Sequence, residues 1–283
     1  MIYLLLSIIS STGIFVLFKL FNKYRIDTMQ AIIVNYFFAC LVGILLYDGN
    51  IETQEIIQSN WFYATIGLGF LFITIFNVMA LTAQKNGLSV ASVASKMSVI
   101  IPVLFGLIIL NESIGVQKLI GIILALFAVY LTSTKKKEKT KFTKTFYLPI
   151  LLFLGSGVID TSINYFAPDD KIPLFSALIF AFAFIIGILI IIYRLIVHKN
   201  YFQLKSIPLG ALLGIVNYAS IYFLLKALRI ENLESSTLFT VNNVAIVALS
   251  TLVGLILFKE RISVKNWIGI FVAFVSIILV TLT

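Results

Sequence analysis

The chain has 283 residues, 60% of them hydrophobic and 12% charged, with a formal net charge of +9. A soluble domain carries about 25% charged residues, so this composition excludes a water-soluble fold and makes lipid the natural solvent. The excess of Lys and Arg would suit nucleic acid, but those residues sit in short segments between apolar runs, which is how membrane topology is encoded.

A spanning helix needs roughly 20 mostly apolar residues. In chain order the qualifying runs are 2–20, 29–47, 61–83, 88–110, 116–132, 146–165, 173–193, 208–228, 233–258 and 267–282. They are continuous and long, which predicts an all-α polytopic membrane protein with ten transmembrane helices rather than a barrel of short alternating strands. The first run has no basic residue before it, and Lys19, Lys23 and Arg25 follow it; a signal peptide has the opposite order, so a retained helix is expected. Asp48-Gly49-Asn50, Asn86-Gly87 and Ala167-Pro168-Asp169-Asp170 mark turns, and Trp61 and Trp267 flank runs at the expected interface. Cys40 is the single cysteine and His198 the single histidine, which leaves no internal disulfide and no zinc ligand set. No phosphate-binding loop sequence is present, so no nucleotide cofactor is implied.

The basic stretch Lys135-Lys136-Lys137-Glu138-Lys139-Thr140-Lys141 divides the chain. It reads as a solvated cytoplasmic linker, 135–145, between residues 1–134 and 146–283; contact with anionic lipid is the alternative. The odd-numbered connections hold 16 Lys and Arg against four in the even ones. This predicts odd connections in the cytoplasm and both termini outside.

Shifted by 148 residues, the segment 106–125 (GLIILNESIGVQKLIGIILA) matches 254–273 (GLILFKERISVKNWIGIFVA) at ten of 20 positions, including Glu112 with Glu260 and Gly121 with Gly269. A shift of 145 pairs Ser10-Ser11-Thr12 with Gly155-Ser156-Gly157. Five helices per half is an odd number, so the second copy would enter the membrane from the opposite side. Such inverted repeats are a hallmark of secondary transporters, whose substrate binds near the midplane between the halves.

An apolar helix ending in Asn111-Glu112 or Lys259-Glu260, followed by Ile-Gly-Ile and Ala, together with five-plus-five helices, resembles the EamA-type branch of the drug/metabolite transporter superfamily. The resemblance covers the whole chain. Pro102 fits the family pattern; its counterpart at the same shift is Ser250, a departure. The resemblance implies export or import of amino acids, other metabolites or drugs, cytoplasmic termini (the reverse of the charge count) and a cavity lined by spans 1, 3, 4, 6, 8 and 9.

Two charges lie deep in spans, Lys96 and Asp160. A charge near the bilayer centre costs roughly 2.5–3.5 kcal/mol on insertion scales, so such residues face protein or water. The functional reading is a cationic centre for an anionic or zwitterionic substrate, with Asp160 as amine partner or proton carrier. The structural reading is a buried ion pair or snorkelling. Counted along straight helices at ~1.5 Å per residue, their levels differ by roughly 10–15 Å. The repeat register sets Lys96 opposite Asn242-Asn243. Ser11, Thr74, Asn77, Ser92, Ser156, Asn217, Tyr218 and Tyr222 complete a polar set on spans 1, 3, 4, 6 and 8, while spans 5, 7 and 10 are nearly pure apolar. Gly121 with Ala125, and Gly269 with Ala273, are small-xxx-small pairs suited to close helix packing. Glu112 and Glu260 precede spans 5 and 10, where a carboxylate favours the positive helix start.

The reading is a secondary transporter of a small metabolite, an amino acid or related carboxylate, acting by alternating access in the cell membrane. The rivals are a non-transporting receptor or assembly subunit and a lipid-modifying enzyme; the latter would need clustered acids or histidine at an interface, which the sequence does not offer. The implied partners are a small-molecule substrate and the bilayer, not nucleic acid.

Overall fold

A computed structural model of the chain describes residues 2–47, 49, 53–109, 115–133, 145–168, 171–198, 201–228 and 235–281. Most of the basic linker and Glu112 lie outside these residues. The described residues are all-helical, with twelve helices: α1 Ile2–Lys23, α2 Thr28–Leu45, α3 Thr53–Gln58, α4 Phe62–Lys85, α5 Leu88–Met97, α6 Ile100–Ile109, α7 Val116–Ser133, α8 Tyr147–Phe166, α9 Ile172–His198, α10 Ser206–Leu228, α11 Ser235–Phe258 and α12 Val264–Thr281. Six of them (α1, α2, α4, α9, α10 and α11) are long and apolar enough to cross a membrane, and shorter apolar helices accompany them. The chain is a multi-pass membrane protein.

Long apolar runs form helices here because each backbone N–H and C=O must find its partner inside its own segment when water is absent. The outward faces stay greasy: Ile256 is 72% exposed, Phe271 67% and Leu189 61%. In water such a surface would aggregate; in lipid it is the solvated surface.

The main core joins α1, α2, α4, α9 and α10. Phe18, Phe76, Tyr36 and Phe180 stack through it at centroid separations of 5.3–6.0 Å. Tyr36 resolves its buried hydroxyl by donating to the Phe72 carbonyl (2.8 Å). Glycine permits the closest approaches. A Cβ at Gly210 would lie 2.6 Å from the Ala31 carbonyl oxygen, and one at Gly214 2.5 Å from that of Asn35, so α10 lies backbone-close on α2.

A second cluster joins α5, α7, α11 and α12. Its centre is the α7–α12 pair, in which Ala125 and Ala273 are fully buried. A Cβ at Gly269 would lie 2.7 Å from Thr132 Cγ2. Ser276 Oγ donates across the pair to the Gly121 carbonyl (2.7 Å).

Two features depart from the sequence reading. The run 88–110 is not one helix but two, α5 and α6. The short α3 occupies the connection before α4, where no element was expected.

Candidate functional site

The break between α5 and α6 has a local cause. Pro102 lacks an N–H, and its ring crowds the carbonyl four residues earlier, that of Ser98. The chain leaves the α-helix at Ser98-Val99 and resumes at Ile100, with Ile101 N–H donating to the Ser98 carbonyl (2.9 Å). Ser98 Oγ then serves two acceptors, the Ser95 carbonyl (2.5 Å) and Asp160 Oδ2 (3.2 Å). Ser98 was not singled out from the sequence; Pro102 four residues downstream was the available signal. A Cβ at Gly157 would overlap the Ile101 side chain, so glycine is what lets α8 meet the start of α6.

This contact corrects the expected offset between the two deep charges. Ser98 is two residues past Lys96, about 3 Å along a helix, so Asp160 lies near the level of Lys96 rather than 10–15 Å away. Leu88 is fully buried, and its N–H is met by the Glu260 carboxylate instead of by water.

Every residue of α5 is buried except Lys96, which is partly buried. Asp160 is exposed, yet it lies on the inward face of α8 with the buried Phe153, Ser156 and Gly157. Leu151, Leu154 and Val158, on the other side of the helix, form its exposed apolar stripe. An exposed carboxylate on the inward stripe means accessible space beside Asp160, referred to as the crevice. The Lys96 ammonium is within electrostatic reach of Asp160. Among the described residues it has no hydrogen-bond or ion-pair partner, so its donors remain available to a ligand. The arrangement is a cation on α5 and an anion on α8 within electrostatic reach of each other, the anion accepting from a serine at the helix break.

The other sequence candidates divide. Asn242 accepts from Ser7 Oγ (3.3 Å), which also serves the Ser220 carbonyl (3.1 Å), and so is turned toward α1 and α10. Asn243 is buried one turn from Val247, which packs in one cluster with Val93 and Met97 of α5. Asn243 is therefore the member of the pair on the α5-facing stripe. Asn217 donates to Asn35 Oδ1 (3.2 Å), a buried amide pair linking α10 to α2. Tyr218 is buried, stacks on Tyr222 at 6.3 Å, and lines a small apolar cavity of about 30 Å³ with Pro173, Ser176 and Phe180. Asn77 donates to the Ile73 carbonyl (2.9 Å) and Met29 Sδ (3.0 Å). Thr74 is exposed and bonds back to the Phe70 carbonyl of its own helix (2.8 Å), the usual way a threonine satisfies itself mid-helix. Ser11 and Ser156 are buried, at 9% and 8% exposure. Ser92 is buried and bonds back to the Ser89 carbonyl (3.0 Å). The structure thus brings Lys96, Asp160 and Ser98 together, sets Asn243 on the neighbouring face, and ties Asn242, Asn217 and Asn77 into helix–helix or local bonds.

Glu260 also departs from expectation. It does not face the start of the helix that follows it; Ser263 fills that place, with its Oγ accepting from Asn266 N–H (3.2 Å). Glu260 instead caps α5, 172 residues away in sequence, and pairs with Lys19 (2.8 Å).

The fold is shared with a protein solved by crystallography, which is 16% identical and aligns over 99% of this chain and 96% of that one with a TM-score of 0.57. An uncharacterized protein of Haemophilus influenzae is 28% identical over 274 residues, 94% of this chain and 93% of its own length. Residues 1–134 match the model of the EamA-like transporter family. This match, together with a helical bundle built for lipid, makes the chain similar to the EamA-like transporter family over those residues.

Proposed function

We propose that the protein is a secondary transporter that carries a small carboxylate-bearing metabolite, an amino acid or a related compound, across the cell membrane by alternating access. The observation that carries this reading is the α5–α6 break, where Ser98 donates to Asp160 and the Lys96 ammonium lies within electrostatic reach of that carboxylate. Interrupted helices at the junction of two halves are where transporters of this kind build their sites. Lys96 would take the substrate carboxylate. Asp160 would take an amine or carry a coupling proton, and Asn243 would supply an amide from the neighbouring helix. The two halves, 1–134 and 146–283, would be inverted five-helix repeats that rock about this site, joined by the basic linker. The match of residues 1–134 to the EamA-like transporter family supports transport over the receptor and enzyme readings.

The test is uptake and efflux in proteoliposomes with a mixture of amino acids and small carboxylates. Accumulation of at least one compound is expected; none moving in either direction would refute the reading. The charge count places both termini outside. On a Cys40→Ser background, an external thiol reagent should then reach a cysteine at Glu52 and not one at Lys137. Labelling at Lys137 alone would reverse the orientation.

A further inference from the structure

Three elements distant in sequence meet on the face that holds the α4–α5 turn. Lys19 lies one turn before the end of α1, Leu88 starts α5, and Glu260 follows α11. Lys19 Nζ lies 2.8 Å from Glu260 Oε1 and also donates to the Ala83 carbonyl (3.3 Å). Leu88 N–H donates to both Glu260 oxygens (3.1 and 3.0 Å). The two charged side chains are only 20% and 13% exposed.

The backbone is shaped around this carboxylate. Lys259 takes a left-handed φ of 50°, uncommon for a side-chain-bearing residue, and the turn lets Glu260 N–H donate to the Gly254 carbonyl (3.0 Å). Gly87 has φ 110°. A Cβ at Gly87 would lie 2.9 Å from Glu260 Oε2, and one at Gly254 2.8 Å from it. Two glycines, one from each half of the chain, therefore leave the space the carboxylate fills.

Shielded ion pairs contribute little net stability relative to apolar packing, because desolvation offsets the attraction. A staple at this position would be served as well by apolar side chains. Close by in sequence, Asn86 Oδ1, Ser89 Oγ and Thr251 Oγ1 are buried without hydrogen-bond partners. These are polar atoms suited to a wet mouth but unsatisfied in a closed one. The latch also sits at the start of α5, whose far end carries Lys96 and Ser98 into the crevice. In the 148-residue register Glu112 and Gly106 match Glu260 and Gly254, whereas Lys19 matches Asn164 in the 145-residue register.

We propose that Lys19, Glu260 and the Leu88 N–H form a gate that closes the crevice toward this face, and that its release frees α5 to open the crevice there. The proposal rests on the alternating-access reading, and its readout is labelling rather than transport, so the two can fail separately. The full chain, Cys40→Ser, with an Asp160→Cys reporter in the crevice, is reconstituted in liposomes. A membrane-impermeant thiol reagent is applied from the face bearing Lys19. Lys19→Met and Glu260→Gln should each raise the labelling rate about tenfold by shifting the open population, while Lys19→Arg, which keeps the pair, should label as slowly as the parent. Unchanged rates in Lys19→Met and Glu260→Gln would overturn the gate, as would fast labelling in Lys19→Arg. Melting in detergent provides the second measurement: loss of the folded protein in Lys19→Met would make the pair a structural staple and likewise overturn the proposal.

Discussion

The α7–α12 seam and the α5–α8 crevice use opposite materials. The seam is built from residues that the two halves share, Gly121 with Gly269 and Ala125 with Ala273. The crevice is built where the halves differ: Lys96 has no charged counterpart in the second half, and Pro102 is matched by Ser250. Packing two helices at short range needs small side chains in both partners, so substitution in either copy is costly. A binding site needs donors and acceptors matched to one ligand, which two identical copies would not supply. The comparison teaches that the repeat preserves small residues where the helices pack and diverges at the α5–α6 break, the proposed substrate site.

The strongest way to break this contrast is Lys96→Met. If Lys96 holds a substrate carboxylate, its loss removes a charge-assisted bond of about 1.5–3 kcal/mol, or roughly 10-fold to 100-fold in affinity. Transport by Lys96→Met should fall by that factor while expression and melting temperature hold, and adding Asp160→Asn should not restore it. Parental transport by Lys96→Met, or recovery of both stability and transport in the double variant, would turn the pair into packing.

The seam should behave in the reverse manner. Gly269→Leu places a side chain against Thr132 and Leu131, where a Cβ alone would come within 2.7 Å and 3.0 Å. Overpacking of this kind costs about 1–3 kcal/mol, so the melting temperature in detergent should drop. Gly121→Leu, on the facing helix, should act in the same direction. Unchanged melting in both variants would mean that the helices do not meet there.

A smaller effect sharpens the boundary between the two regions. Ser7→Ala removes the hydroxyl that joins Asn242 to the Ser220 carbonyl. Interhelical bonds in membranes contribute about 0.6 kcal/mol on average, so a slight loss of stability with transport intact is the expected result. A collapse of transport with parental stability would move Asn242 from the packing to the site.

Much of this was legible in the residues. Runs of about 20 apolar residues can only be spanning helices when water is absent, and the 148-residue register is a property of the letters themselves. The polarity of the fourth run, with its lysine and its proline, marked the region of the crevice. The sequence could not place Asp160 beside Ser98, because relative helix depth depends on where each helix starts. For α5 that start is a buried Leu88, held by a glutamate 172 residues away. Proline rules also allow either a kink or a break, and the packing of Ile101 against Gly157 accompanies the break observed here. Local chemistry thus determined which segments are apolar enough to enter a membrane. The tertiary structure decided which polar atoms meet, because each unpaired polar atom in lipid must find its partner in space rather than along the chain.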